Sequence, residues 1–228
     1  MTAPSAPRSR DVDPVDQRVV WLIVLVSVYA AASLIANVMS IRAVSIFGWA
    51  VDAGTLTYPL TFTIRDLIHK VGGKRAATTA IYTTVALNVA MVAAFWVAAA
   101  LPPDMAVGSQ EAFGEVLNSA WRIVVASLVA QLVAELADTE IYQRYTDRFG
   151  QRAQIGRVLT SNAVSVPLDS VIFATIAFAG TFPAAVIVEI VAANIVIKVA
   201  SSFVTAPLIY AVPGPRPSTG SGSPTGEV

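Results

Sequence analysis

Gln131, Glu135 and Asp138 recur at i, i+4 and i+7, so on a helix all three project from one face. Asn162, Ser165 and Asp169 repeat the pattern at i, i+3 and i+7, and Asn194 and Lys198 at i, i+4. Tyr29, Ser33, Asn37 and Ser40 form a further stripe, and Asn88 stands midway along its own segment. The surroundings of all these residues are aliphatic. Polar groups so placed can do two kinds of chemistry. They can hydrogen-bond one another across helix interfaces, with Asp169 and Lys198 as an ion pair, or they can line a polar cavity for a small solute. An ionised side chain at the bilayer centre costs about 2.5–3.5 kcal/mol on insertion scales. Interhelical adhesion seldom requires several such groups, so Glu135, Asp138, Asp169 and Lys198 taken together favour the cavity. The asparagines taken singly fit either role. Glu135 and Asp138, a turn apart, are also candidate proton sites.

Catalytic chemistry is poorly represented. No Walker loop, G-x-S-x-G or H-E-x-x-H occurs in the sequence. There is no cysteine, which removes disulfides and thiolate sites, and one histidine, His69, cannot build a histidine metal site. No serine has a histidine placed to activate it. An aspartyl-protease pair of Asp138 and Asp169 lacks the surrounding sequence of such enzymes. The residues point to a protein that is not an enzyme and needs no cofactor.

The elements that position these groups must be membrane-spanning. Hydrophobic residues make up 55% of the 228 and charged residues 13%, about half the share of a soluble domain, so much of the surface need not face water. Six apolar segments fall at about 19–41, 52–71, 76–101, 117–142, 157–180 and 183–211. The first has 23 residues without charge from Val19 to Ile41, longer than a signal-peptide core, and reads as a retained helix. The second is the weakest, with Thr55, Thr57, Pro59, Thr61, Thr63, Arg65 and Asp66. It fits irregular backbone lining a cavity, or an interfacial or re-entrant stretch. The expected fold is all-α, a polytopic six-transmembrane-helix bundle over residues 18–212. Residues 1–17 and 213–228 are expected to be disordered cytoplasmic tails.

Charge placement supports an even number of spans. With six, one side holds Arg8, Arg10, Arg18, Lys70, Lys74, Arg75, Arg144, Arg148, Arg152, Arg157 and Arg216, and the other holds only Arg42. The excess of basic residues marks the first side, with both termini, as cytoplasmic and the membrane as the cell membrane. Trp21, Trp49, Trp96 and Trp121 lie near segment ends, as interfacial anchors do. Arg65 and Asp66 are expected to pair locally or snorkel at the cytoplasmic end, and Arg122 to snorkel at the outer edge. Glu189 is expected to be solvated, and His69 to sit in an interfacial basic loop. A short echo links Asp138-Thr139-Glu140-Ile141-Tyr142 to Asp169-Ser170-Val171-Ile172-Phe173. The net charge of zero gives no pull toward nucleic acid.

Several stretches carry a resemblance. Tyr58-Pro59-Leu60-Thr61-Phe62 leads to Arg65-Asp66-Leu67 and then Gly72-Gly73-Lys74-Arg75. Asp138 is followed by Ile141-Tyr142-Gln143-Arg144. Arg157, Ser161, Ser165, Leu168-Asp169-Ser170 and Phe173 come next, and Lys198 is followed by Pro207-Leu208-Ile209-Tyr210. In order and spacing, over residues 20–212, the chain resembles the VUT family of queuosine precursor transporters. In that family a Gln commonly stands three residues before each aspartate; here those positions hold Glu135 and Val166, with Pro167 next. The resemblance implies import of a 7-deazaguanine-type base, a deazapurine, across the cytoplasmic membrane. It implies Asp138 and Asp169 as acceptors for the N–H edge, and Asn162 and Asn194 for the carbonyl and ring nitrogens. Tyr58, Phe62, Tyr142 and Phe173 could cover the base, and Lys198 would hold Asp169 ionised in the empty site. With Glu135, Asp66, Asn37 and Asn88, these residues make up the expected substrate-binding set. Alternatives of the same size are a substrate-binding subunit of an energy-coupling-factor-type vitamin transporter, partnered by an ATPase module, and an importer of another small nucleobase or vitamin. A structural membrane protein would tolerate apolar replacement of Asp169 and Lys198 together. The runs Ala30-Ala31-Ala32 and Ala98-Ala99-Ala100 permit close packing, including with a second copy.

Overall fold

The computed structural model describes residues 14–46, 48–150, 154–210 and 212. Five long helices follow one another: α1 (Pro14–Ser40), α2 (Tyr58–Ala100), α3 (Glu111–Phe149), α4 (Gln154–Phe178) and α5 (Ala184–Thr205). A hairpin of β1 (Ala43–Ile46) and β2 (Trp49–Asp52) joins α1 to α2, with Ala43 opposite Asp52 and Ile46 opposite Trp49. A 3₁₀ turn, Ala53–Leu56, follows it, and another, Ala206–Tyr210, follows α5. Among the described residues four helical stretches are long and apolar enough to cross a bilayer: Gln17–Ser40, Tyr58–Ala100, Gln154–Phe178 and Ala184–Tyr210. Helix suits these residues because in lipid every backbone N–H must be satisfied within its own segment. The 39-residue α3 is long but carries Gln131, Glu135 and Asp138 along its buried face. α1 already begins at Pro14, inside the expected tail of residues 1–17. The remainder of both expected tails, residues 1–13 and 213–228, lies outside the described residues, and Arg152 does too.

Most of the second apolar segment of the sequence, from Tyr58 on, and the third both fall in α2, on either side of Gly73. That residue has φ 77° and ψ 179°, a backbone that breaks the helix and that glycine alone adopts without strain. Contacts with α1 show what the break does. Tyr58 Oη donates to Asn37 Oδ1 at 2.9 Å near the end of α1, and Arg18 Nε near its start donates to the Val71 carbonyl at 2.7 Å. The first limb, 58–72, therefore runs antiparallel to α1. Beyond Gly73 the order inverts: Ala77 and Ala80 pack with Leu25 and Tyr29, and Asn88 Nδ2 reaches Ser33 Oγ at 3.2 Å. The second limb, 74–100, runs parallel to α1, so the chain reverses at Gly73.

The remaining directions follow from similar pairs. Ser127 Oγ meets Asn37 while Glu135 meets Tyr29, so α3 runs antiparallel to α1. Arg157 Nη1 meets Thr146 at one end of the α3–α4 pair and Arg122 Nε meets the Ile176 carbonyl at the other, so α4 returns antiparallel to α3. Thr55 contacts Asn194, Thr63 contacts Thr205, and Lys70 Nζ donates to the carbonyls of Ile209 and Val212 at 2.7 Å. α5 thus lies alongside the first limb in the same direction. That limb is the centre of the bundle, because 58, 59 and every residue from 61 to 71 are buried. Large aliphatic side chains point the other way: Ile23, Val97, Val188 and Val204 are all well exposed on the outside. Apolar outside and polar inside is the arrangement that lipid favours.

Of the two alternatives for Arg65 the local pairing with Asp66 holds, and the loop placement of His69 is corrected. Arg65 does not snorkel. It is fully buried, and besides pairing with Asp66 it reaches Asp138 on α3, because the limb that bears it is walled off from solvent by the other helices. Arg122 reaches the end of α4, donating to the carbonyls of Ile176 at 2.7 Å and Ala179 at 2.5 Å. His69 lies within the buried limb rather than in a loop, hydrogen-bonded to Gln143 at 2.9 Å and stacked on Tyr142 with centroids 4.3 Å apart. Glu189 is exposed, as expected.

Candidate functional site

Three polar clusters line the interior between α1, the first limb of α2, α3, α4 and α5. The outermost is built on amides. Asn37 Nδ2 donates to Asn88 Oδ1 at 2.9 Å, while Asn37 Oδ1 accepts from Tyr58 Oη at 2.9 Å and Ser127 Oγ at 2.6 Å. Gln131 Nε2 donates to Ser33 Oγ at 2.9 Å. The stripes on α1 and α3 thus face each other, with Asn88 from the second limb of α2 joining them. Nearly every donor and acceptor of Asn37 and Asn88 is used, so these two residues hold the wall rather than present free groups.

The second cluster is ionic. Nζ of Lys198 on α5 donates to Oδ2 of Asp169 on α4 at 2.5 Å, and both side chains are almost wholly buried. The same Nζ lies 5.0 Å from the centroid of the Tyr58 ring, within cation–π range. Asp169, Lys198, Tyr58, Ser127, Phe173 and Asp52 line one narrow cleft. Asp52 stands outside the expected binding set. It caps the 3₁₀ turn, its Oδ1 accepting from Thr55 N at 3.0 Å and Ser40 Oγ at 2.9 Å, and its Oδ2 accepting from Thr55 Oγ1 at 2.7 Å. Placed at the end of a short apolar run, it reads locally as a loop acid; only the hairpin folding back over the bundle brings it to the cleft. Asn194 borders this region through Thr55, which donates to its Oδ1 at 3.2 Å. Among the described residues the Nδ2 of Asn194 and the Oδ1 of Asn162 are buried without a hydrogen-bond partner. Pro167 has no N–H for the Ala163 carbonyl, so the helical ladder is loosened just before Asp169.

The third cluster lies deeper, around Arg65. Nη2 of Arg65 donates to Asp66 Oδ1 at 2.8 Å and pairs with Asp138 Oδ2, while Ser165 Oγ donates to Asp138 Oδ1 at 2.7 Å. Glu135, one turn from Asp138, receives Tyr29 Oη on Oε2 and Gln131 Nε2 on Oε1 at 3.3 Å. The Asp66–Tyr142–His69 contacts carry the cluster on toward the basic end of the bundle, where Arg157 lies over the Tyr142 ring at 4.2 Å.

All nine expected binding residues are therefore in the interior, but in distinct places. Asp169 and Lys198 share the cleft, with Asn194 at its border. Asp138, Glu135 and Asp66 gather around Arg65, Asn37 and Asn88 brace the wall, and Asn162 lies a helical turn from Ser165 on α4. The echoed stretches each supply an aspartate to a buried ion pair, Asp138 with Arg65 and Asp169 with Lys198. Among the described residues no group of three or more acidic or histidine side chains is placed to hold a metal ion.

Comparison with known proteins gives two matches. A family described as "Putative vitamin uptake transporter" matches residues 52–212, from the end of β2 to just past the 3₁₀ turn that follows α5. A protein of Bacillus subtilis (strain 168), described as "Probable queuosine precursor transporter", is 26% identical over 181 residues, 79% of this chain and 79% of that one. No solved structure matches.

Proposed function

From the premise that this chain belongs to the vitamin uptake transporter family, we propose that it is a six-pass importer of a 7-deazaguanine-type base, a queuosine precursor, across the cell membrane. It is a multi-pass membrane protein that transports a small molecule; the substrate class, the pass count and the orientation are the proposal. The similarity to a queuosine precursor transporter supports the substrate class. The reversal of α2 at Gly73, which divides it into two antiparallel limbs, supports six passes. Arg18, Lys74, Arg144 and Arg157 at one end of the bundle and Arg42 at the other support cytoplasmic termini.

The observation that carries the reading is the Asp169–Lys198 pair in a cleft shared with Tyr58 and Phe173. A buried pair of this kind satisfies itself when the site is empty. A guanine-like edge offers two adjacent N–H donors and a carbonyl, which replace both halves of the pair. The carboxylate of Asp169 accepts the two N–H groups, and the ammonium of Lys198 donates to the carbonyl. Exchanging one set of charge-assisted bonds for another avoids stranding either charge in a dry interior. Tyr58 and Phe173 supply apolar faces for the ring. Asn194 Nδ2 and Asn162 Oδ1 offer a free donor and a free acceptor. Asp138 is held from behind by Arg65 and Ser165. An aminomethyl precursor is cationic, and Asp52 at the outer margin of the cleft is placed to attract it.

The test is uptake by cells that neither make queuosine nor import its precursors. The chain is expressed, a deazaguanine base is supplied at nanomolar concentration, and queuosine is assayed in tRNA. Restoration by the wild type and its loss in Asp169→Asn, at equal membrane expression, is the expected result. Absence of restoration by any deazaguanine base, with the protein properly inserted, would overturn the substrate assignment.

A further inference from the structure

The cluster around Arg65 contains more negative than positive charge, and the cleft chemistry above does not use the excess. Asp66, Glu135 and Asp138 are all buried, with relative exposures of 1%, 0% and 0%. From α2 they are faced by Arg65, bonded to Asp66 and Asp138, and by His69, which is hydrogen-bonded to Gln143 and is ordinarily neutral at pH 7. From α1 they are faced by Tyr29, and from α3 by Tyr142. From α4 comes Arg157, stacked on Tyr142. Lys198 of α5 is already matched by Asp169. Three carboxyl groups thus meet two guanidinium groups at most, and one negative charge has no counterpart. An unmatched carboxylate in such an interior takes up a proton rather than stay charged.

Two further observations locate that proton. Glu135 makes no hydrogen bond or salt bridge to a cation among the described residues, Arg65 being near it but bonded to Asp66 and Asp138; its own partners are the hydroxyl of Tyr29 and the amide of Gln131, both neutral. Tyr29 Oη can accept as well as donate, so its hydrogen bond to Glu135 survives in either protonation state by reversing direction. Separately, Oδ2 of Asp66, fully buried in the same cluster, has no hydrogen-bond partner among the described residues, which offers the proton a second resting place toward the basic end. With one proton bound, the groups sum to neutrality: Arg65 and Arg157 against Asp66 and Asp138.

We propose that Glu135, set between Tyr29 and the Arg65–Asp138 pair, binds an exchangeable proton, and that this proton couples import to the proton gradient. The step moves one proton from outside water to the Glu135 carboxylate and from there to cytoplasmic water, with no other bond made or broken. The coupling half rests on the transporter reading; the proton site does not.

Infrared spectroscopy of the full chain in lipid tests the site without any substrate. The wild type is expected to show the carbonyl stretch of a protonated carboxylic acid at neutral pH, shifted in D₂O, and absent from Glu135→Gln. Tyr29→Phe is expected to keep the band and move its frequency, which guards against misassembly of the glutamine variant. No such band at neutral pH, a band unchanged in Glu135→Gln, or one unmoved by both D₂O and Tyr29→Phe would overturn the site. In proteoliposomes, accumulation of the base is expected only under an inward proton gradient and should collapse with a protonophore. Equal uptake with and without the gradient would overturn coupling while leaving the substrate reading intact. An intact band with no uptake of any deazaguanine base would support the proton site and overturn the substrate reading instead.

Discussion

One nitrogen of Arg65 serves both Asp66 and Asp138, and its guanidinium carbon also lies 5.3 Å from the Phe62 ring centroid. Removing it leaves two carboxylates buried without their cation. Arg65→Met is therefore expected to destabilise the protein by about 3–5 kcal/mol, read as a lowered thermal midpoint in detergent. Arg65→Lys should recover only part of that loss, because a single ammonium cannot reproduce the planar fork. Asp169 makes a sharper case, since it separates folding from function. Asp169→Asn strands Lys198 and should lose both stability and uptake. Joint replacement of Asp169 and Lys198 by well-packed apolar residues should return most of the stability while uptake stays absent. Recovery of uptake in that double variant would mean the pair merely holds helices together.

At the scale of elements, the first limb of α2 explains why the weakest apolar segment of the sequence is nonetheless a core element. Hydropathy measures suitability for lipid, and this limb hardly meets lipid: the other helices enclose Thr61, Thr63, Arg65, Asp66, His69 and Lys70. Its two ends depend on glycine. Gly73→Ala forces a Cβ into φ 77°, ψ 179°, and is expected to cost about 1–3 kcal/mol, measured by thermal unfolding. At the other end, a Cβ on Gly54 would run into Ser40 Oγ and, at 2.5 Å, the Ala36 carbonyl oxygen. Gly54→Ala should push the 3₁₀ turn off α1, move Asp52 away from the cleft and weaken uptake at low substrate concentration more than at saturation. A maximal rate reduced with unchanged apparent affinity would argue against a role for Asp52 in attracting substrate.

For the whole molecule, the proposed count of six passes rests on the reversal at Gly73. The chain has no native cysteine, so single introduced cysteines report sidedness cleanly. Met105→Cys, between α2 and α3, is expected to react with an impermeant maleimide added to intact cells, and Arg75→Cys, beside the reversal, only after the membrane is opened. Labelling of both from the same side would show that the second limb, 74–100, does not cross the membrane. Lys70, bonded to the Ile209 and Val212 carbonyls, ties the end of α5 to the same turn. The two ends of the folded domain are thereby brought to one face, with Arg18 on Val71 beside them.

The sequence by itself determined the membrane class, the apolar segments and their polar stripes, because burial in lipid imposes length, hydropathy and helical periodicity on local stretches. It also offered the pairing of Asp169 with Lys198 as one of two readings, since two opposite charges at matching depth have few other partners in such an interior, and the structure contains that pair. What it could not decide was which stripe meets which. The joining of Asp138 to Arg65 over 73 residues, the burial of Arg65, and the return of Asp52 to the cleft all depend on one limb lying at the centre of the bundle. That placement arises from packing among all the helices, and no local run of residues encodes it. For the same reason Arg65 reads as a surface residue in its segment and acts as the hub of the interior once the chain has folded.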